Sequence, residues 1–305
     1  MHHRVIAFLS LCSLGATSLV AAEVDAGNWP KFRGTKASGL SAGAKPPIKF
    51  GPTDGVVWNV DVPWSPSSPA ICGERIFLTT FRNGELKTSC HSRAEGKLLW
   101  AGGVKPGAVE DFHRADGSPA ASSPATDGRH VLSYFGSFDL ICHDVEGKDL
   151  WRYPLPLALS AGQYGSGTSP IIIGETVVPC RDLHRYSTLL ALDVKSGRKL
   201  WETPRPDASG SFGTPVHSLN NGVDEIVAAA DGRLYVAPLL GKLTVIKSGG
   251  DKPEVLHQVD FGERILATPA LVGERLYVRT TTKLWAFGKQ CKPPILSLAR
   301  RVWLS

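Results

Sequence analysis

A chain of 305 residues is long enough for two ordinary domains or for one large all-β domain. With 42% hydrophobic and 20% charged residues it has the composition of a soluble globular protein, and its 32 Gly and 22 Pro favour short strands and turns over long helices. The formal charge is +6, but four cations lie in the first 22 and last 15 residues, which contain no acid, so residues 23–290 carry +2. This near-neutral body has no Lys/Arg run that could follow a phosphate backbone, which argues against nucleic-acid binding.

Residues 1–22 have the organisation of a secretory signal peptide. A short cationic start, Met1–Arg4, precedes an apolar stretch that ends at small residues, Val20-Ala21-Ala22. We expect cleavage here and a periplasmic or extracellular protein. A retained anchor is the alternative, but the stretch is shorter than the roughly 20 apolar residues that span a bilayer, so we expect no stable transmembrane anchor.

The cysteines do not form a disulfide framework. Five remain after export, an odd number at irregular spacing, and none forms a CxxC pair. We expect most of them to be buried as small hydrophobic residues.

The body of the chain, residues 23–290, contains an internal repeat. A Ser-Pro or Thr-Pro pair recurs every 45 to 55 residues, and a glycine follows four of the prolines by four residues. The prolines are Pro69, Pro124, Pro170, Pro215 and Pro269, and the glycines are Gly73, Gly128, Gly174 and Gly273. A run of β-branched and aromatic residues follows each glycine, so each unit is predicted to open as strand, tight turn, strand.

Three units close on a glycine that lies four residues before a tryptophan. The pairs are Gly96/Trp100, Gly147/Trp151 and Gly197/Trp201. In the third unit, Asp193 can accept hydrogen bonds from turn amides and Gly197 can adopt a positive φ. A large ring at one place in each unit can fill the space between neighbouring sheets. Units of this length with four strands are typical of β-propeller blades.

These motifs resemble the pyrroloquinoline-quinone (PQQ) binding-like repeat family, in its secreted bacterial members. The resemblance rests on the Ser/Thr-Pro starts, the segment Ala191–Trp201 and the opening segment Asn28–Gly34. It implies an all-β propeller of four-stranded blades. The family has seven or eight blades, whereas this chain holds five or six units, so we expect the ring to be small or incomplete.

Two places determine how such a ring would be completed. The strand predicted at Val56–Val62 has no partner before it in the chain, and we expect it to complete the last blade and close the ring. Residues 213–262 lack a tryptophan and join the middle of one unit to that of another. We interpret this segment as an internal deletion, with natural divergence as the alternative. Residues 291–305 match no repeat and are predicted to be an irregular tail.

The sequence contains few motifs that indicate a catalytic, cofactor or metal site. Two polar loops are candidate cofactor-binding segments, one with His113 and Arg114 and the other with Arg181, Asp182 and His184. Cys90-His91 and Cys142-His143 recur at equivalent places, but adjacent strand residues point to opposite faces, so no metal site is predicted from them. No catalytic residue can be assigned, and no cofactor is expected.

The sequence therefore favours a non-catalytic binding or scaffolding propeller, exported to the periplasm or cell surface, with a protein or polysaccharide partner in the envelope. One alternative is a PQQ-dependent oxidoreductase, which would need PQQ with calcium. The other is a truncated propeller without independent activity. The fold does not decide among them.

Overall fold

In the computed structural model, every described element of regular structure is a β-strand. The described residues are 27–35, 39–41, 43–158, 165–181, 183, 187–204, 214, 219–220, 223–224, 233–236, 242–247, 254–265 and 267–288. Within these ranges, no helix has the length and hydropathy needed to cross a bilayer.

Three consecutive antiparallel sheets follow chain order, and we call them blades 1, 2 and 3. Blade 1 contains β2 (Ala70–Cys72), β3 (Arg75–Arg82), β4 (Glu85–Ser92) and β5 (Leu98–Val104). Blade 2 contains β6 (Ala125–Thr126), β7 (His130–Tyr134), β8 (Asp139–Asp144) and β9 (Asp149–Pro154). Blade 3 contains β10 (Ile171–Ile173), β11 (Thr176–Val178), β12 (Cys180–Arg181), β13 (Thr188–Asp193) and β14 (Lys199–Pro204).

Blade 3 has the same order of four strands as the other two blades, although its second strand is divided. Both β11 and β12 pair with β13, and Pro179 lies between them. Because proline has no backbone N–H to donate to the ladder, it divides the second strand of this blade into two short pieces.

A fourth four-stranded sheet, the closing blade, joins the two ends of the described chain. It contains β20 (Ala270–Val272), β21 (Arg275–Arg279), β22 (Lys283–Gly288) and β1 (Val56–Asp61). The first strand pairs antiparallel with the last, with Asn59 opposite Trp285 and Val60 opposite Leu284. The prediction that the first strand completes the last blade is confirmed.

The remaining strands form smaller sheets. A hairpin of β15 (Leu219–Asn220) and β16 (Val223–Asp224) precedes a three-stranded sheet of β17 (Arg233–Val236), β18 (Lys242–Lys247) and β19 (Glu254–Asp260). Two complete blades would need eight strands, and five are described between residues 219 and 260. The described residues thus form four four-stranded blades and two smaller sheets, and an internal deletion remains our interpretation of residues 213–262.

Neighbouring blades are joined near their first strands by a chain of hydrogen bonds between the Ser/Thr-Pro pairs. The backbone N–H of Thr268 donates to Ser68 Oγ at 2.9 Å, and that of Ser68 donates to Ser123 Oγ at 2.8 Å. The N–H of Ser123 donates to Ser169 Oγ, and that of Ser169 to Thr214 Oγ1, both at 3.0 Å. We call this series the hydroxyl chain. It gives Ser68, Ser123 and Ser169 two roles each, since the backbone N–H donates to one neighbouring unit and the hydroxyl oxygen accepts from the other.

At the outer strands, a tryptophan of one blade packs against a glycine turn of the next. A Cβ atom built on each of these glycines would lie 2.5 to 2.6 Å from the indole, too close for any side chain. The pairs are Trp58 with Gly96, Trp100 with Gly147 and Trp151 with Gly197. Each indole N–H also donates to a carbonyl of the same turn, at 2.9 to 3.2 Å. All three glycines have positive φ, between 69° and 93°, so the turn needs glycine for its backbone as well as for the contact.

Trp58 and Trp201 differ from what the repeat pattern suggests. Trp58, in the closing strand, has the position of a repeat tryptophan, although no glycine lies four residues before it. Trp201 belongs to the pattern, yet its side chain is 45% exposed. Trp285 is not a repeat tryptophan and stacks on Phe287 inside the closing blade, with ring centroids 5.9 Å apart.

Buried apolar clusters lie between the sheets. One joins the closing blade to blade 1 around Ile76 and Tyr277, and another joins blades 2 and 3 around Tyr134 and Leu192. The described cysteines, Cys72, Cys90, Cys142 and Cys180, are all free thiols, and three of them are buried.

Candidate functional site

The candidate site is at one end of the blades. In a four-stranded meander, the turn between strands two and three is at the same end as the connection from strand four to the next blade. We call this end the loop face. It contains the connections 62–69 and 105–124 and the turns of β3–β4, β7–β8 and β21–β22.

A buried polar cluster lies on the loop face between blades 2 and 3, and we call it the Glu110 cluster. Glu110 is 2% exposed, and its Oε2 accepts a hydrogen bond from Ser166 Oγ at 2.7 Å. Its other oxygen, Oε1, is buried and has no hydrogen-bond partner. The backbone N–H of Glu110 donates to Ser137 Oγ at 2.8 Å, and this hydrogen bond holds the Glu110 backbone in place.

Arg181 belongs to the same cluster. Its Nε donates to Tyr134 Oη at 3.3 Å and its Nη2 to the carbonyl of Pro156 at 2.6 Å. Gly136 allows the close approach, because a Cβ there would lie 2.0 Å from Ser166 Oγ and 2.9 Å from Glu110 Oε2. Of the candidate residues predicted from the sequence, the cluster contains Arg181.

Burial sets the protonation of the cluster. Removal from water raises the pKa of Glu110 to about 7, against the opposing effect of the Ser166 hydrogen bonds and the charge of Arg181. Burial also raises the pKa of Tyr134. A carboxyl that gains a proton near neutral pH can act as a hydrogen-bond donor, and here the free Oε1 is the atom available for it.

A surface groove lies on the same face, between the closing blade and blade 1. Its volume is about 470 Å³. It is lined by Asp61, Val62, Pro63, Trp64, Phe81, Arg82, Thr281 and Thr282. The backbone N–H of Val62 donates to the carbonyl of Thr282 at 2.8 Å, which joins two of its walls. We call it the Trp64 groove.

The candidate residues from the sequence have different surroundings. His113 and Arg114 are exposed, and His113 Nδ1 lies 3.5 Å from Asp116 Oδ2. Arg181 is buried in the Glu110 cluster, whereas Asp182 and His184 lie outside the described residues, as does Pro215. The cofactor role of these loops stays a prediction.

Sequence reasoning missed several residues of the loop face. Glu110 precedes the segment that was singled out and lacks any motif of its own. Trp64 follows the strand of the closing blade and Arg82 ends a strand of blade 1, so only the folded chain brings both to one groove. Trp58 could have been found, because a strand that completes a blade has the position of that blade's fourth strand.

The Glu110 cluster does not fit a calcium-bound quinone. Calcium takes six to eight oxygen ligands, but one oxygen of Glu110 is bonded to Ser166, and the Arg181 guanidinium, which could pair with quinone carboxylates, bonds Tyr134 and Pro156. Among the residues that the structure describes, no three His, Cys, Asp or Glu side chains converge as metal ligands would.

Comparison with known proteins gives a family and several similar folds. BamB from Moraxella catarrhalis is 14% identical, covering 76% of this chain and 75% of that one, with a TM-score of 0.31. A quinohemoprotein alcohol dehydrogenase from Pseudomonas putida HK5 is 13% identical over 90% of this chain and 42% of that one, with a TM-score of 0.44. The enzyme of this type from Comamonas testosteroni is 10% identical, over 88% and 48%, with a TM-score of 0.45. This chain thus spans less than half of either dehydrogenase.

No curated protein sequence matches significantly. A family profile described as outer membrane protein assembly factor BamB, built of PQQ-like repeats, matches residues 82–217 and 185–290. Because these segments span well over half of the 305 residues, and the strands form propeller blades closed by the first strand, the chain belongs to this PQQ-like β-propeller family.

Proposed function

We propose that this protein is a non-catalytic propeller of the cell envelope that holds another protein against the outer edge of its blades. The family profile supports this, since its description is that of an assembly factor. The leader-like residues 1–22 support export. The proposal is carried by one observation at the outer strands.

In three consecutive blades, the outermost strand exposes a leucine immediately before the repeat tryptophan. These leucines are Leu99, Leu150 and Leu200, exposed by 49, 41 and 40%. The strands that carry them, β5, β9 and β14, pair with a neighbour on one side only. An apolar side chain beside unpaired backbone N–H and C=O groups is a surface to which an added strand of another protein can bind.

A crosslinking experiment tests this proposal. A photoreactive amino acid at Leu150 of the full chain should form an adduct with one or a few envelope proteins in the source organism. A matched probe at Ala108, an exposed residue of the loop after β5 on the loop face, should not. Leu99→Lys with Leu200→Lys should weaken the Leu150 adduct while far-UV circular dichroism stays unchanged.

Three outcomes would contradict the proposal. Equal adducts at both positions would show contact without a specific surface. Absence of adducts, with quinone absorbance retained after desalting from PQQ and calcium and with dye reduction by an alcohol or sugar, would support the oxidoreductase alternative. A broad or aggregating thermal transition would support the truncated-propeller alternative.

A further inference from the structure

The Trp64 groove has the size and the chemistry of a ligand site that is separate from the outer strands. Its volume of about 470 Å³ falls within the roughly 300 to 1,000 Å³ that is typical of small-ligand sites. Its walls are fixed by backbone bonds. One is the connection after β1, a second is the β21–β22 turn, and the third is the Asn83-Gly84 hairpin turn, which holds Arg82 opposite Glu85.

The lining of the groove is mainly apolar and partly aromatic. Trp64 and Phe81 are both half-buried, and Val62 and Pro63 add apolar surface to the lining. Phe81 also meets Phe112 edge to face, with ring centroids 5.8 Å apart. The groove therefore borders the loop that carries His113 and Arg114.

The polar groups that line the groove fall into two sets. The first set is already bonded. The Asp61 carboxylate accepts from Lys283 Nζ at 2.7 Å, the Thr282 hydroxyl donates to Glu263 at 2.8 Å, and the Thr281 hydroxyl donates to the carbonyl of Arg264 at 3.2 Å.

The second set consists of the Arg82 guanidinium and the Trp64 indole N–H. Among the described residues, neither makes a hydrogen bond or an ion pair to the protein, and Arg82 is exposed. Both are donors only. Because Lys283 offsets the charge of Asp61, Arg82 is the one charge of the lining that lacks a partner, so the groove is complementary to an anion that accepts hydrogen bonds.

We propose that the Trp64 groove binds an acidic sugar, a uronate unit of an envelope or extracellular polysaccharide. The apolar face of a sugar ring packs on an indole, and its carboxylate pairs with a guanidinium through two parallel hydrogen bonds. Arg114, exposed two residues beyond Phe112, provides a second cation for the next acidic unit of the chain. The proposal goes beyond the outer-strand interface and rests on the proposed function only for the export that brings the protein to such a polysaccharide.

Calorimetric titration with a short oligogalacturonate tests this proposal on the full mature chain. Binding should be measurable and should weaken as NaCl is raised, because salt screens an exposed ion pair. Arg82→Gln should weaken binding by at least about tenfold, the loss expected for a charge-assisted pair. Trp64→Ala should weaken binding of both the acidic sugar and its methyl ester. Arg198→Gln, an exposed arginine in the β13–β14 turn, is the matched control and should leave binding unchanged.

Three outcomes would overturn the proposal: equal binding of the methyl-esterified oligosaccharide, unchanged binding by Arg82→Gln, or no binding of the acidic oligosaccharide by a chain that unfolds cooperatively. Stronger binding of phenylacetate than of the oligogalacturonate would also overturn it, in favour of aromatic acids. The variants lie outside β5, β9 and β14, so failure here leaves the crosslinking test of the outer strands unaffected.

Discussion

Arg279 is a fully buried cation that stabilises the closed ring without a carboxylate partner among the described residues. It is 1% exposed, and its guanidinium donates to the carbonyls of Pro63 at 2.8 Å and Ser67 at 2.9 Å. Burial lowers the pKa of Arg279 to about 9. Both carbonyls belong to the segment that leads from β1 into blade 1, so one side chain of the closing blade holds the entry to its neighbour.

Glu110 is a buried acid, in contrast to the buried cation Arg279. Because one of its oxygens is buried without a hydrogen bond, the fold favours the protonated form of this side chain. Its folded pKa, about 7, lies above the usual value of 4.5. The folded state therefore binds a proton that the unfolded state lacks between these two values, and stability increases as the pH falls from 7 to 4.5. The buried His91 and His143 act in the other direction, since burial lowers the pKa of each and stability is lost as the pH falls below 6.5.

We predict that Glu110→Gln removes this dependence. The stability of the native chain relative to the variant should increase by up to about 3 kcal/mol between pH 8 and pH 5, as the pKa difference requires. Urea unfolding at several pH values measures it, and the histidine contribution cancels because both chains contain it. Glu95→Gln, in an exposed turn, is the control. A constant difference across this range would show that Glu110 stays ionised in the fold.

At the scale of elements, the junction between blades depends on a ring in one blade and a glycine turn in the next. Trp151 shows the complete arrangement, because its indole covers Gly197 and its Nε1 donates to the carbonyl of Val194 at 2.9 Å. Trp201 has the same place in blade 3 but is 45% exposed. Trp151 and Trp201 therefore allow a packed and an exposed tryptophan to be compared at the same place in the repeat.

We predict that Trp151→Ala destabilises the protein by about 3 kcal/mol, as expected for loss of a packed indole. Trp201→Ala should cost less than about 1 kcal/mol, because little buried contact is lost. Urea unfolding of the two variants under one condition measures both. Equal losses would mean that Trp201 is packed in solution and that the junction after blade 3 is complete.

How far the sequence predicts these elements depends on whether the pattern is local. The strand–turn–strand openings and the Gly–Trp closings were predictable, because a turn glycine, a proline and a β-branched run lie within a dozen residues. The Ser/Thr-Pro pairs were recognised as repeat markers, but their hydroxyl chain was not, because it joins residues 45 to 200 positions apart. The same holds for Arg82 and Trp64, which meet only after blade 1 has packed on the closing blade.

At the scale of the whole molecule, the ring is joined by strand pairing between β1 and β22. The two strands lie more than 220 residues apart and share a ladder from Val56 to Asp61. Pairing this strand with β22 covers an edge that would otherwise be open to other chains. Trp58 adds a second connection, because its indole N–H donates to the carbonyl of Arg93 in blade 1 at 3.2 Å.

We predict that replacing residues 56–61 with a Gly-Ser sequence of equal length abolishes the cooperative thermal transition or leads to aggregation. Replacing residues 105–109, a mostly exposed part of the loop after β5, should change the melting temperature by only a few degrees. Differential scanning calorimetry with light scattering measures both. An unchanged, cooperative transition in the first variant would show that the blades are stable without closure.

The hydroxyl chain also bears on how such proteins change in size. Each of its links uses the same pair of atoms, a backbone N–H from one unit and a Ser or Thr oxygen from the next, so the units of Ser68, Ser123 and Ser169 present the same connector on both sides. A unit can then be gained or lost in evolution without redesign of the units that remain, provided that whole units are exchanged. A change that cuts through a unit, as we infer for residues 213–262, would separate that unit's connector from the rest of its blade, whereas the described links run from Thr268 through Ser68, Ser123 and Ser169 to Thr214.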